Sequence, residues 1–420
     1  MKILILTQYY DPEPLPKLGE LARGLHERGH EVTVVTGFPN YPQGTLYEGY
    51  AIRPWSVEND RGVRVVRLPL YPDHSRSSAR RMVNYGSFAL SASVLGPALC
   101  GGADVMYVWH PPLTIGAAAL AIGMARRVPF VYAVHDLWPE MAVAAGMLRD
   151  GALTRMLDRF GRFVYRRAAV VGVVSPGFVD HLVVKGVPRE KIEVLTDWVD
   201  ETLYRPVPPD PDLAERLGTA GRFNVVFGGQ LGVAQHLDTV LDAARALLAS
   251  RPEVQLLLVG DGVERSRLER RAADMGLTNV RFAGRFPAAE MPAVYALADV
   301  LLIHLKADPA FRMSIPGKTY PYMACGKPVL AALEGVTADI IREGDAGLTC
   351  PPEDPGAMAA AIVRLLDMTA EERARMGSSA RRTALAKYAR SVVLDEHERV
   401  LTAVGSGLRA SIHGAGGTSR

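Results

Sequence analysis

Four hundred and twenty residues, 48% of them apolar, suffice for two to three domains at about 150 residues each and exclude wholesale disorder. Forty-eight basic against forty-five acidic side chains leave a formal charge of +3. That near-balance argues against a nucleic-acid partner, which needs a concentrated basic face.

The three cysteines, Cys100, Cys325 and Cys350, lack CxxC spacing, so neither a disulfide framework nor a cysteine-based metal site is expected, and a cytoplasmic location fits. The N-terminal MKILILTQYYD reads as a first strand, too short for a signal-peptide core. Apolar stretches at Ser87–Cys100 and Leu113–Ala125 fall short of the roughly 18–20 residues that span a bilayer.

Strand-like runs then alternate with helical patterns. Lys2–Thr7 precedes a Pro-rich loop and a helix over Leu18–Arg28, with Leu18, Leu21, Ala22 and Leu25 at helical spacing. Further strands are predicted at Glu31–Thr36, Val63–Arg67, Asp104–Val108, Pro129–Val134, Ala169–Val174 and Ile192–Leu195. The Pro-rich Tyr204–Asp212 is read as a linker. Beyond it come strands at Asn224–Gly228, Val254–Val259, Val280–Ala283, Val300–Ile303 and Pro328–Ala332, with helices at His236–Leu248, Val263–Met275, Pro355–Asp367, Ala370–Tyr388 and Ser391–Val404. The predicted fold class is α/β, with two doubly wound, Rossmann-like domains facing across a cleft. Expected boundaries are 1–203, 204–390, a crossover helix at 391–404 packing on the first domain, and a disordered Gly- and Ser-rich tail at 405–420.

Several stretches could carry chemistry. FGGQLGVAQHL places Gly228, Gly229 and Gly232 between a strand and a helix, where backbone can approach a phosphate; the spacing is not GxGxxG, so a nicotinamide site is disfavoured. LLLVGDGVE ends a strand in Gly260, Asp261 and Gly262, an ordinary turn or one facing a base or diphosphate. In SIPGKTYPYMACGKPVL, Pro316 and Gly317 turn the chain, Lys318 projects, and Thr319 is expected to cap a short helix over Tyr320–Cys325. A cation beside a helix start is a receptacle for a diphosphate. YAVHDLWPE presents His135, Asp136, Trp138 and Glu140 at a strand's carboxyl end; no spaced partner makes it a metal site. Ser175 and Pro176 read as a structural helix start.

Taken together these stretches resemble a retaining glycosyltransferase of family 4 with the GT-B architecture, over almost the whole chain from Met1 to about Val404. ERGHEV, VHDLWPE, VSPGFVDHLVVKGVP, VVFGGQLG, LLLVGDG, VRFAGRFP, MACGKPVLA and AGLTCPPEDP occur in the family's order. WHPPLTIG, HDLWPE and IPGK followed by YMACGKPV are most similar to bacterial enzymes that add aminosugars during surface-polysaccharide synthesis.

The resemblance implies a nucleoside-diphosphate sugar, expected to be uridine-linked, as co-substrate on the C-terminal half, with no other cofactor and no metal. It implies a glycan or lipid-linked acceptor on the N-terminal half, near His135, Asp136, Glu140, Gly19 and Glu20. His135 and Lys318 are the catalytic candidates. Donor candidates are Gly229, Gln230, Gly232, Gln235, Gly260, Asp261, Gly262, Arg285, Pro316, Gly317, Lys318 and Glu334.

The chain departs from the family where two glutamates are usual, at Met313 and Pro321, and where an Arg and a Lys hold the diphosphate, at Gln230 and Gln235. Each lost cation would cost about 1–3 kcal/mol of leaving-group stabilisation if uncompensated; Lys318, Arg285 and Arg312 are the candidate replacements. An epimerase of the same architecture, or a silent sugar-nucleotide-binding subunit, are the rival readings. The basic stretch His74–Arg81, ahead of apolar Phe88–Leu99, suggests peripheral contact with the inner face of a membrane, or else a solvated loop before a core helix.

Overall fold

The computed structural model describes residues 1–75, 77–144, 148 and 150–407. The expected tail from 408 onward, and Arg76 of the basic stretch, lie outside the described residues. The chain divides into two units, Met1–Leu195 with Leu394 onward, and Thr196–Val393.

The first unit contains β1 (Lys2–Leu6), α1 (Pro16–Glu27), β2 (Glu31–Gly37), β3 (Ser56–Asp60), β4 (Val63–Leu68), α2 (Ser78–Leu99), β5 (Val105–His110), α3 (Ile115–Arg126), β6 (Phe130–Val134), α4 (Glu140–Ala144), α5 (Ala152–Arg167), β7 (Val170–Val173), α6 (Gly177–Val184) and β8 (Ile192–Val194). Its eight strands run in the order β3-β4-β2-β1-β5-β6-β7-β8. All pair in parallel except β3, which runs antiparallel to β4 at the edge. β3 is absent from the sequence expectation because SVEND alternates between half-buried and exposed positions and carries no apolar run. The central strands are buried on both faces, as β6 shows, because helices cover the sheet on each side.

The second unit contains α7 (Pro211–Leu217), β9 (Phe223–Gly228), α8 (Asp238–Ser250), β10 (Val254–Val259), α9 (Arg265–Asp274), β11 (Val280–Gly284), α10 (Met291–Ala296), β12 (Val300–His304), α11 (Pro309–Arg312), α12 (Thr319–Ala324), β13 (Val329–Ala332), α13 (Val336–Glu343), β14 (Gly347–Cys350), α14 (Pro355–Asp367) and α15 (Ala370–Tyr388). Its six parallel strands take the order β11-β10-β9-β12-β13-β14, so strand order reverses between β9 and β12. Ligands of such sheets lie at the carboxyl ends beside that reversal. The last helix, α16 (Arg390–Gly405), starts in the second unit and from Leu394 belongs to the first. There Arg28 and His30 meet Glu398.

The division falls ahead of the Pro-rich segment read as a linker. Trp198 and Val199 are already buried, the Val199 N–H donates to Tyr388, and Tyr204 stacks on Tyr295. Part of that segment opens α7, capped by Asp210 with Pro211 in the first turn.

Tyr322 of α12 ties the second unit together at the strand-order reversal. Fully buried, it accepts from the Gly228 N–H at 2.6 Å and donates to the Gly228 carbonyl at 3.1 Å. Tyr322→Phe strands both main-chain groups away from water. The expected cost is about 1–3 kcal/mol, read as a lower midpoint in urea unfolding at an unchanged slope.

Candidate functional site

Turns at the carboxyl ends of β9, β10 and β11 lie side by side. The Gly229 N–H donates to Val259, Leu231 to Asp261, and Gly260 to Gly284, all within 2.7–2.9 Å. A Cβ on Gly260 would stand 1.8 Å from the Gly229 carbonyl oxygen, at a φ of +137°, so only glycine lets the two turns meet. Gly229, Gln230, Gly232, Gln235, Gly260, Asp261, Gly262 and Arg285 are thereby gathered at one end of the sheet.

The N–H groups of these glycines donate within the protein. The Gly232 N–H donates to Gln235 Oε1 at 3.2 Å, the Gly262 N–H to Asp261 Oδ1 at 2.8 Å, and those of Gly229 and Gly260 to carbonyls. Gln235 is thus a loop brace, whereas Gln230 and Arg285 are exposed.

The loop from Leu305 to Lys318 runs beside the same turns. Pro316 is half-buried and Gly317 exposed. α12 begins at Thr319, with Lys318 rather than Thr319 in the cap position. The Thr319 hydroxyl is buried with no hydrogen-bond partner among the described residues, and its N–H donates to the Pro316 carbonyl. Lys318 keeps part of its stem at the surface, but its Nζ is closed off from water and has no hydrogen-bond partner among the described residues. The ammonium lies 3.4 Å from the centroid of the Phe227 ring. A Cβ on Gly229 would come within 2.9 Å of it. Burial pulls the Lys318 pKa down to about 7.

Glu334 and Arg312 form an ion pair at 3.2 Å. They rim a cavity of about 190 Å³ at the ends of β12 and β13, lined also by Leu305, Lys306 and Phe311. Arg312 is therefore already matched by a carboxylate. Among the described residues, no group of three or more His, Cys, Asp or Glu side chains could hold a metal ion.

Sequence reasoning missed His304 at the end of β12. It is fully buried; its Nδ1 lies 2.7 Å from the Gln235 carbonyl oxygen, and its Nε2 accepts from the Glu353 N–H at 3.2 Å. Those partners fix the neutral ring with the proton on Nδ1. Burial lowers its pKa to about 4, against the pull of the Gln235 carbonyl. Lys306, two residues on, donates its N–H to Ala234. The available signal was position: a polar residue ending an apolar strand beside the strand-order reversal.

In the first unit, His135 follows β6 and stacks on Trp109, with ring centroids 3.5 Å apart. Its N–H donates to the His110 carbonyl. His110 is fully buried, and burial takes its pKa to about 3. Asp136 is half-buried. Glu140 is engaged elsewhere. Lys185 lies 2.5 Å from it and also pairs with Asp158, while His181 is at 3.4 Å. Burial opposes its charge, but His181 and Lys185 hold its pKa at about 2. Gly19 lies inside α1, which starts at Pro16 rather than beside Gly19. It is buried where a Cβ would meet the carboxylate of Asp11, the partner of Arg23. Glu20 is half-buried on the next position. The structure thus brings His135 to a sheet end, while Glu140 pairs with Lys185 and Gly19 leaves room for the Asp11–Arg23 pair.

His304→Phe removes one acceptor and one donor, leaving the Gln235 carbonyl and the Glu353 N–H unpaired. A stability loss of about 1–3 kcal/mol for each is expected. His110 and His304 have folded pKa values below the usual 6.5. The unfolded chain therefore takes up their protons first, and the stability they permit above pH 6.5 is lost as pH falls toward 4. Urea unfolding at stepped pH should show a shallower decline in His110→Phe or His304→Phe than in the parent chain.

Comparison with known proteins agrees with this architecture. Residues 16–198 match the glycosyl transferase 4-like domain, and residues 222–368 match glycosyl transferases group 1. The chain is 29% identical to the Pseudomonas aeruginosa glycosyltransferase WbjE over 306 residues, covering 70% of this chain and 74% of that one. It is 27% identical over 357 residues to WcaI of Escherichia coli K12, named for colanic acid biosynthesis, covering 80% and 84%. The fold matches that of Anabaena Alr3699/HepE, solved in complex with UDP, at a TM-score of 0.73 and 22% identity, covering 96% of this chain and all of that one. The chain belongs to the family 4 type of glycosyltransferases, with the two-Rossmann-domain GT-B fold.

Proposed function

We propose that this glycosyltransferase moves a sugar from a uridine-diphosphate donor, an N-acetylated aminosugar in the reading we favour, to a glycan or lipid-linked acceptor at a membrane's inner face, retaining the anomeric configuration. The carrying observation is the Lys318 ammonium, enclosed without a hydrogen-bond partner among the described residues, beside the glycine turns of β9 and β10. A buried cation without a counter-charge is costly, and a pyrophosphate oxygen would relieve that cost. The UDP bound to the HepE structure supports the base, and the colanic acid named for WcaI supports a surface polysaccharide as product. The aminosugar and the retention rest on the resemblance of the sequence blocks.

In this reading the second unit holds the donor. As the sugar–phosphate bond breaks, negative charge grows on the departing diphosphate, and Lys318 is already placed to receive it. Because its pKa in the free protein is about 7, Lys318 is partly neutral near physiological pH and becomes fully charged when the anion arrives. Gly229, Gly260 and Gly262 shape the floor, Gln230 and Arg285 approach from solvent, and Glu334 is the candidate for the ribose. In the first unit, His135, oriented by Trp109, is the candidate to contact the reacting sugar and acceptor, with Asp136 and Glu20 at the acceptor's edge.

Incubation with labelled nucleotide sugars tests this reading: transfer requires an acceptor, epimerisation does not, and a silent subunit does neither. Lys318→Ala should lower kcat by about 10²–10³-fold while the chain stays folded; near-normal turnover removes Lys318 from the mechanism. Calorimetric titration with UDP at pH 8, in buffers of different ionisation enthalpy, should show proton uptake by the parent chain and none by Lys318→Met. Turnover should be unchanged by EDTA.

A further inference from the structure

We propose that the outer face of α2, α3 and α5 in the first unit docks on an anionic lipid bilayer. The three helices form one layer: Gly116 of α3 lies against Val164 of α5, and Gly96 of α2 against Ile122 of α3. Their charge is one-sided. α2 contributes Arg80 and Arg81, and α3 Arg126. α5 adds Arg155, Arg159, Arg162, Arg166 and Arg167. Against these eight arginines stands one acid, Asp158, which is already paired with Arg162 and Lys185. Seven of the arginines are exposed and Arg81 is half-buried. An excess of seven positive charges on three helices of a chain whose total is +3 leaves the remainder net acidic. The basic charge is segregated onto this layer.

Large apolar side chains emerge among the arginines. Val83, Leu90 and Val94 are 54–67% exposed on α2, and their spacing of seven and four residues puts them on one helical face. Phe88, Ala89, Ala92 and Gly96 point the other way into the core. Met124 of α3 is 68% exposed, and Leu153, Met156 and Phe163 of α5 also reach solvent. Single exposed apolar residues are ordinary. An apolar set interleaved with exposed arginines and almost no acid has the chemistry of a bilayer interface, where apolar groups enter the acyl boundary and cations meet phosphate headgroups. Among the described residues no helix is long and apolar enough to cross a membrane, so the contact is peripheral. The basic stretch singled out in the sequence is only its margin; α5 carries most of the charge.

This deepens the membrane side of the proposed function, yet its test requires no sugar chemistry. The full chain is co-sedimented at low salt with vesicles of phosphatidylcholine alone, or of phosphatidylcholine with phosphatidylglycerol as minor component. Binding to the anionic vesicles only is expected, weakening as salt rises. The triple variant Arg155→Glu/Arg159→Glu/Arg166→Glu should partition at least about tenfold more weakly, with its thermal transition and UDP binding retained. If that variant fails to fold, Leu90→Ser/Val94→Ser decides, again with weaker binding expected. Equal binding to neutral and anionic vesicles, capture by heparin but not by vesicles, or parent-like binding by the folded variant would overturn the proposal. Parent-like UDP binding alongside absent vesicle binding would overturn it while leaving the transferase reading intact.

Discussion

A lysine ammonium closed off from water normally finds a carboxylate or a carbonyl. Among the described residues Lys318 has neither, and lies instead against the face of Phe227, in the space kept open by the missing side chain of Gly229. The ring face offers a modest electrostatic attraction, well short of what hydration gave, and the lowered pKa expresses the difference. Neighbouring features follow from keeping that group in place. Tyr322 holds the end of β9, Gly260 lets the next turn close over it, and α12 starts on the residue after the lysine.

The first unit handles charge the opposite way. Lys185, also largely withdrawn from solvent, sits among Glu140, Asp158 and His181; Arg23 bridges Asp11 and Asp60; Glu13, buried, accepts three main-chain N–H groups from Tyr10, Asn40 and Tyr41. The Arg23 and Glu13 groups are closed within the protein, which makes them braces rather than receptors. A saturated cluster stabilises by staying as it is, whereas an unsaturated one gains most when something binds. Lys318 is of the second kind, whereas the Glu140 carboxylate meets Lys185 and His181 through Oε1 and keeps Oε2 buried without a hydrogen-bond partner among the described residues.

Strand and helix periodicity made the alternating architecture readable, and α14 and α15 coincide with their expected spans because their apolar residues recur at helical spacing between clear caps. β3 was not readable, since an edge strand with a polar sequence has no periodic signal. The glycines at 229 and 260 and the lysine at 318 were visible as residue types, but not that the amides of those turns are spent within the protein. Hydrogen-bond direction depends on neighbouring loops far away in sequence. His304 stayed hidden for the same reason: Gln235 and Glu353, its two partners, are 69 and 49 positions away.

The replacement of cations at Gln230 and Gln235 makes physical sense in this frame. Gln235 Oε1 accepts from the Gly232 N–H while its own carbonyl faces His304. A lysine there has no acceptor atom on its side chain and could not brace the loop in that way. In the proposed reading, a positive charge on Lys318 instead of at those positions would exchange a flexible, hydrated cation for a poorly solvated one. Such a group acts more strongly on a nearby anion, since little water competes and little reorganisation is required. The accompanying cost is a lysine that loses part of its charge near neutral pH when no anion is present.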